Sequence, residues 1–335
     1  MQNRKKLIAG IILGILLLGT VGGLIYVKAQ TKKDEPEQVT LRYAAPLTIA
    51  AAPIYVADAK NFWTEEGAEV DVTYFDSGRK ALDALLANSA EVMSVSETPP
   101  LRAYLAGSKI SIIATATEHK EAKMTVRSDR IYKPEDVRGK KIGSVAGTNS
   151  DYYMYRWLEA NDISTSEVDI VALDAAALSQ AFVQGDIDVM FAWEPHNFNA
   201  ASKIADKAVS WPTEEYTGRH TIVMNEEFLE NNGVAAERII KGLIKAEEYI
   251  KNNPEDAKAI VRDKTGMSET ALNNLWDEYT YKVGLDDELL IIIGNETNWM
   301  KMSEDNRSTL DPKQLVNSSF LFNIDSDRVG GKFKS

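Results

Sequence analysis

The chain has 335 residues, 44% of them hydrophobic and 26% charged, enough apolar material for one large folded body or two smaller ones. Lys and Arg number 38 against 50 Asp and Glu, a net charge of −12; the basic footprint that neutralises phosphates is missing, which excludes nucleic acid as a partner. There is no cysteine, and with it go disulfides, thiol nucleophiles, Cys-ligated zinc or iron–sulfur centres, and lipid attachment at an N-terminal Cys.

Residues 1–6 are basic through Arg4, Lys5 and Lys6, and Leu7 to Val27 then run for 21 residues without a charge. A helix of that length spans roughly 30 Å at about 1.5 Å per residue, the thickness of a hydrocarbon core, whereas a cleaved signal usually carries about 7–15 apolar residues. Segment 7–27 is therefore expected to be a membrane anchor. Val27-Lys28-Ala29 has the small-x-small form of a cleavage site, so a cleaved signal is the alternative. The remainder then sits on the extracytoplasmic face of the plasma membrane if anchored, and is secreted or periplasmic if cleaved. Residues 28–38 read as a tether, beyond which 32 basic residues face 47 acidic ones, net −15.

Val39-Thr40-Leu41-Arg42-Tyr43 alternates as a strand, and Ile54 to Phe62 has apolar residues at helical spacing. A strand from Val70 to Phe75 follows, then the turn Asp76-Ser77-Gly78 and a helix from Arg79 with Leu82, Leu85 and Leu86 on one face. A strand from Glu91 to Ser96 completes the unit. Alternation of this kind builds a mostly parallel sheet with helices on both faces. The pattern restarts about a hundred residues later, at Lys141-Ile142-Gly143-Ser144-Val145 with a helix after Asn149-Ser150. Residues 84–99 align with 181–195: each has a helix end, a turn, an acid-led strand and a Glu just before a Pro, namely Glu97 and Glu194.

This repeat predicts two α/β lobes, lobe 1 from 39–120 and 222–335 and lobe 2 from 121–221. The chain crosses near His119 to Lys123 and near Arg219 to Val223, because Met124-Thr125-Val126 and Thr221-Ile222-Val223-Met224 read as extended. From Glu226 onward the sequence reads as helical. Ile239, Ile240, Leu243, Ile244 and Ile250 keep helical spacing up to Asn252-Asn253-Pro254, and Ser268 caps a helix expected over Glu269 to Tyr279. Asp325 to Ser335 read as frayed.

The sequence resembles the type II extracytoplasmic solute-binding proteins of ABC importers, in the taurine, alkanesulfonate, nitrate and thiamine-precursor branch. The resemblance covers about residues 39–322. It is carried by Ala52-Pro53-Ile54-Tyr55-Val56-Ala57 with Phe62-Trp63 and Glu66-Gly67, and by Phe75-Asp76-Ser77-Gly78. Further on it rests on Gly139-Lys140-Lys141-Ile142-Gly143 with Gly147-Thr148, on Gly185-Asp186-Ile187-Asp188, and on Trp193-Glu194-Pro195-His196. It implies an α/β, two-lobed periplasmic-binding-protein type II fold with a hinge, here with one N-terminal transmembrane or signal helix. It also implies a monomer that closes on a small solute and hands it to a permease driven by a cytoplasmic ATPase. The lipobox cysteine common in the family is absent, and a protein anchor is its natural substitute.

Ligands of open α/β sheets sit at the carboxyl ends of strands. Ser77-Gly78 and Thr148-Asn149-Ser150 are strand-to-helix turns at such ends, and the free N–H groups of helix starts hold carboxylate, sulfonate or phosphate groups. Ordinary capping by Ser, Thr and Asn accounts for the same residues. Thr48-Ile49-Ala50-Ala51-Ala52 is a third such turn, with Thr48 and Ala51 as candidates and small side chains leaving room for a solute. Glu97, Glu118, Asp151 and Glu194 fall at or near the same ends. Like charges 4 Å apart cost about 4 kcal/mol at an effective dielectric of 20, more than the roughly 0.3–1 kcal/mol a helix end supplies. A ligand with a cationic end as well as an acid resolves that conflict, and Trp193 offers a face to a cation. The alternative is that Glu97 pairs with Arg79 or Arg102 and Trp193 is core. An aminosulfonate such as taurine is thus the expected solute, held by Ser77, Thr148 and Ser150 at its acidic end and by Glu97 or Glu194 at its basic end. Nitrate, bicarbonate, a thiamine pyrimidine or riboflavin are the alternatives within the same fold.

His119, His196 and His220 are the only histidines and match no metal spacing; His196 is a candidate solute contact. No metal and no cofactor are expected. The chain has no Gly-x-x-x-x-Gly-Lys-Ser/Thr loop and no Gly-x-Ser-x-Gly elbow, which argues against an ATPase or a serine hydrolase. An enzyme of this fold working without cysteine, or a ligand-sensing domain for a receptor, are the other classes to weigh.

Overall fold

The structure is a computed structural model that describes residues 38–120, 123–212, 216–303, 308 and 311–334. The apolar segment 7–27 expected to cross or be cleaved at a membrane lies outside the described residues. Among those described, no helix is long and apolar enough to cross one.

β1 (Val39–Pro46) leads through a 3₁₀ turn (Ile49–Ala51) into α1 (Ala52–Ala59), β2 (Ala68–Phe75), α2 (Gly78–Leu86), β3 (Val92–Ser96), α3 (Thr98–Leu105) and β4 (Ile110–His119). A second series follows: β5 (Lys123–Arg127), β6 (Lys141–Val145), α4 (Asn149–Ala160), β7 (Asp169–Leu173), α5 (Ala175–Gln184), β8 (Val189–Ala192), α6 (His196–Ile204) and β9 (Ala208–Pro212). After β10 (Gly218–Asn225) come α7 (Gly233–Asn252), α8 (Pro254–Thr265), α9 (Glu269–Leu275), β11 (Tyr279–Gly284) and α10 (Asp287–Ser303).

The strands form a six-stranded sheet in the order β11-β4-β10-β3-β1-β2 and a five-stranded sheet in the order β7-β6-β8-β5-β9. The run β2-β1-β3-β10-β4 repeats the arrangement β7-β6-β8-β5-β9. β1 pairs β3 in parallel, as β6 pairs β7 and β8, while the fourth strand of each run is antiparallel to the third. That strand is in each case the one the chain enters just after crossing from the other sheet. The sheets are therefore mixed, not mostly parallel as the alternation of elements implies; a period of two places side chains on faces but does not carry strand direction.

The return crossing falls between Pro212 and Gly218, so Gly218 to Thr221, read from sequence with the second lobe, belong to the first sheet, with Thr221 opposite Val95 and Thr115. An extended stretch has the same pattern on either side of a crossing. The helix capped by Ser268 stops at Leu275, and the residues expected to continue it turn through Trp276–Glu278 into β11, an edge strand on β4. Tyr279 and Val283 are buried while Thr280 and Lys282 are exposed, an alternation that defines a strand. The C-terminal residues are docked, not frayed. Arg328 bonds Glu247 at 2.6 Å and the Val283 carbonyl at 2.8 Å, and Gly330 N–H donates to Leu285 O at 2.7 Å.

Leu178, Phe182, Ile187 and Met190 fill the core of the second sheet. On the first, α7 buries Ile239, Ile240 and Leu243, and Trp63 Nε1 donates to the Ile239 carbonyl at 3.2 Å. Each such side chain contributes roughly 1.5–3 kcal/mol on burial, and together they fix the strand ends that carry the site.

Candidate functional site

The carboxyl ends of β1, β3, β6 and β8 meet at one crevice of about 360 Å³ of atom-free space, its mouth included. Pro46, Thr48, Gly78, Arg79, Ser96, Thr148, Asn149, Trp193 and His220 are among its walls. The start of α2 enters from the first sheet. Ser77 Oγ caps it by accepting Lys80 N–H at 3.4 Å, and Gly78 lets it press on β3, since a Cβ there would lie 2.2 Å from Val95 Cγ2. The start of α4 enters from the second sheet. Thr148 Oγ1 accepts Ser150 N–H at 3.2 Å and donates to Val145 O at 2.7 Å, following Gly147, whose φ of 77° lies in the left-handed region that favours glycine. Two helix starts, the ends that carry the positive pole of the helix dipole, therefore border one space.

Hydrogen bonds between described residues reach across the crevice. Thr48 Oγ1 donates to Glu194 O at 3.4 Å, and Arg79 Nη1 donates to Ala146 O at 3.3 Å. Beside the first crossing, Lys123 Nζ lies 2.7 Å from Glu278 Oε1 and 3.5 Å from Glu194 Oε1, tying the two sheets together.

Of the residues expected to bind ligand, Thr48, Gly78, Thr148, Asn149 and Trp193 line the crevice. Ser77 is half-buried next to Gly78, and Ala51 is buried in the turn behind Thr48. Ser150 works inside the fold, its hydroxyl donating to Phe191 O at 2.7 Å and accepting Val145 N–H at 3.0 Å. Asp151 accepts the Ser144 hydroxyl at 2.6 Å and Gly147 N–H at 2.7 Å, and burial raises its pKa. His196 packs edge-on against Trp193 with ring centroids 5.5 Å apart, and burial lowers its pKa.

The carboxylates expected on opposite walls do not line the crevice. Glu97 is fully buried, accepting the Tyr216 phenol and Arg219 N–H (2.9 Å); burial raises its pKa and the Tyr216 bond opposes that. Glu194 is 2% exposed and accepts Phe198 N–H at 2.9 Å; burial raises its pKa and the charge of Lys123 opposes that. Glu118 pairs with Arg219 at 3.3 Å and lines a different cavity, with Lys282 and Asp286. Among the described residues that line the crevice none is acidic, and Arg79 is the one cation. Among the described residues no group of three or more His, Asp or Glu is placed to hold a metal.

Arg79, Ser96 and His220 were not among the expected ligand contacts. Arg79 follows the Ser77-Gly78 turn directly and was legible as a cation at a helix start. His220 stands opposite Ser96 across the β10–β3 pairing, a neighbour relation that a single sequence does not display.

The taurine-binding periplasmic protein of Escherichia coli (strain K12) is 29% identical over 204 residues, 59% of this chain and 63% of that protein. A putative binding protein, YtlA, of Bacillus subtilis (strain 168) is 25% identical over 240 residues, 68% of this chain and 71% of that protein. Among solved structures, the periplasmic aliphatic sulphonate binding protein SsuA from Escherichia coli superposes with a TM-score of 0.71 at 16% identity, covering 83% of this chain and 97% of that one. At that identity the likeness is one of fold, a two-sheet α/β fold of the periplasmic-binding kind. All three relatives are named as binding proteins. Residues 48–257 match the NMT1/THI5 like family model, and by that match the chain belongs to the NMT1/THI5-like family.

Proposed function

We propose that the protein is the extracytoplasmic substrate-binding component of an ABC import system. It captures a small sulfonate in the crevice and delivers it to a membrane permease coupled to a cytoplasmic ATPase. The observation that carries this reading is the crevice lining: two helix starts from different sheets and one arginine, with no acidic residue among them. Such a lining attracts an anion and offers it N–H donors from both sides. The bonds from Thr48 and Arg79 across the crevice are the contacts a hinged, closed form makes, and a ligand touching both walls favours that form by its differential affinity. Segment 7–27, as anchor or signal, would keep this part of the chain outside the cytoplasm.

The same lining adjusts the expected solute. With Glu97 and Glu194 engaged elsewhere, the amine of taurine has no carboxylate to meet, and the face of Trp193 is the group that can cover it. Alkanesulfonates are therefore expected to bind at least as well as taurine. Calorimetry with ethanesulfonate, taurine, nitrate and a pyrimidine tests this. Binding of sulfonates, with the scattering radius shrinking on saturation and the ligand recovered unaltered, is the expected result. Tight binding of nitrate or the pyrimidine alone overturns the sulfonate assignment, and turnover of the bound ligand overturns the transport role.

A further inference from the structure

His220 lies in β10 opposite Ser96 and forms part of the crevice wall with Thr148, Asn149 and Trp193. It is 2% exposed, yet its Nε2 is buried with no hydrogen-bond partner among the described residues. Buried polar atoms are nearly always paired, so an unpaired ring nitrogen on a residue of the crevice wall marks a place where something received there, with a small turn of the ring, completes the bonding. Burial lowers the His220 pKa to about 3, so at neutral pH the ring is uncharged and carries one N–H donor.

We propose that His220 is the specificity-determining residue of the crevice, its ring N–H donating to one oxygen of the bound anion's head group; this rests on the sulfonate-binding function proposed above. Donors then converge from three sides: the start of α2 with Arg79, the start of α4, and the imidazole on β10. A head group with three acceptor oxygens satisfies all three. A carboxylate can accept as many bonds, but its two oxygens and their lone pairs lie in one plane and do not point to three separate sides, so one donor is met with poor geometry, a cost that binding sites use to reject analogues. The site therefore selects a sulfonate over a carboxylate of equal length, with Arg79 supplying charge and His220 supplying direction.

The test is calorimetry of the wild type, His220→Phe and His220→Gln with ethanesulfonate, propionate, nitrate and a pyrimidine, with thermal melting to confirm folding. His220→Phe keeps the ring shape without a donor, and is expected to lose roughly 10- to 100-fold affinity for ethanesulfonate while the weak binding of propionate barely changes. His220→Gln, which restores a donor, is expected to recover most of the loss. If the wild type binds ethanesulfonate and His220→Phe binds it within twofold, the role of His220 is overturned and the sulfonate function stands. If the wild type binds only nitrate, the sulfonate function falls; a tenfold loss of nitrate in His220→Phe then supports His220 as a donor to an anion, and an unchanged affinity overturns it. If the wild type binds only the pyrimidine, both readings fall. A wild type that binds none of the four overturns both. Should His220→Phe fail to melt cooperatively, His220→Leu, which also lacks a donor, takes its place: a loss of tenfold or more for ethanesulfonate supports the role and an affinity within twofold of wild type overturns it.

Discussion

Glu296 on α10 is fully buried, its Oε1 accepting the Thr98 hydroxyl at 2.6 Å. Burial is the main cause of its raised pKa, and the neighbouring Glu97 carboxylate adds to it. A carboxyl with a folded pKa above its unfolded value contributes stability at low pH that is lost as pH rises through the folded pKa. Glu296→Gln is therefore expected to raise the melting temperature at pH 8 and to leave it nearly unchanged at pH 4.5; a gain of equal size at both values would show that ionisation is not the cause. His119 and His220, both lowered to about 3 by burial, act in the opposite direction. The unfolded chain takes up their protons below about pH 6.5, so their contribution fades as pH falls from there towards 3. None of this was legible from composition. A Glu at a strand end faces either a crevice or the fold behind it, and what turns Glu97 inward is Tyr216 and Arg219, which lie more than a hundred positions away.

The closeness of α2 to β3 depends on the one position where a helix start meets a strand without a side chain between them. Gly78→Ala places a methyl group 2.2 Å from Val95 Cγ2, and overpacking of this kind costs about 1–3 kcal/mol. The variant is expected to melt lower and to bind ethanesulfonate more weakly, because the helix start shifts from the crevice; adding Val95→Ala should restore most of both. Full stability and affinity in Gly78→Ala alone would contradict the contact. Elements of this type were readable because their signals are local. Ser77, Thr148 and Ser268 each accept a backbone N–H at the helix start their sequence marks, and Pro254 opens a new helix where it ends the previous one. β11 was missed because its alternation follows straight on from a helix, with one 3₁₀ turn as the boundary.

Joining two sheets through two crossings places a heavy demand on Lys123, whose side chain is 13% exposed and serves carboxylates from both. Lys123→Met keeps the stem and removes the charge, leaving Glu194, 3% exposed at its side chain, without its cation. Losing one partner of a buried pair costs about 3–5 kcal/mol, and this half-shared pair is expected near the lower end. The loss in chemical denaturation should be largest at pH 7.5 and shrink at pH 5, where protonation relieves Glu194; an equal loss at both pH values would assign the effect to packing. The amino-acid order by itself determined the repeated strand–helix unit, the turns that carry Thr48, Gly78 and Thr148, and the lack of any thiol in these 335 residues, because each depends on residues near one another or on composition. Strand direction, the point where the chain returns to the first sheet, the inward turn of Glu97 and Glu194, and the arrival of Arg79 and His220 in one crevice were settled by the folded chain. These are pairings between distant segments, fixed by sheet register and by competition for buried hydrogen-bond partners, and neither leaves a periodic trace along the sequence.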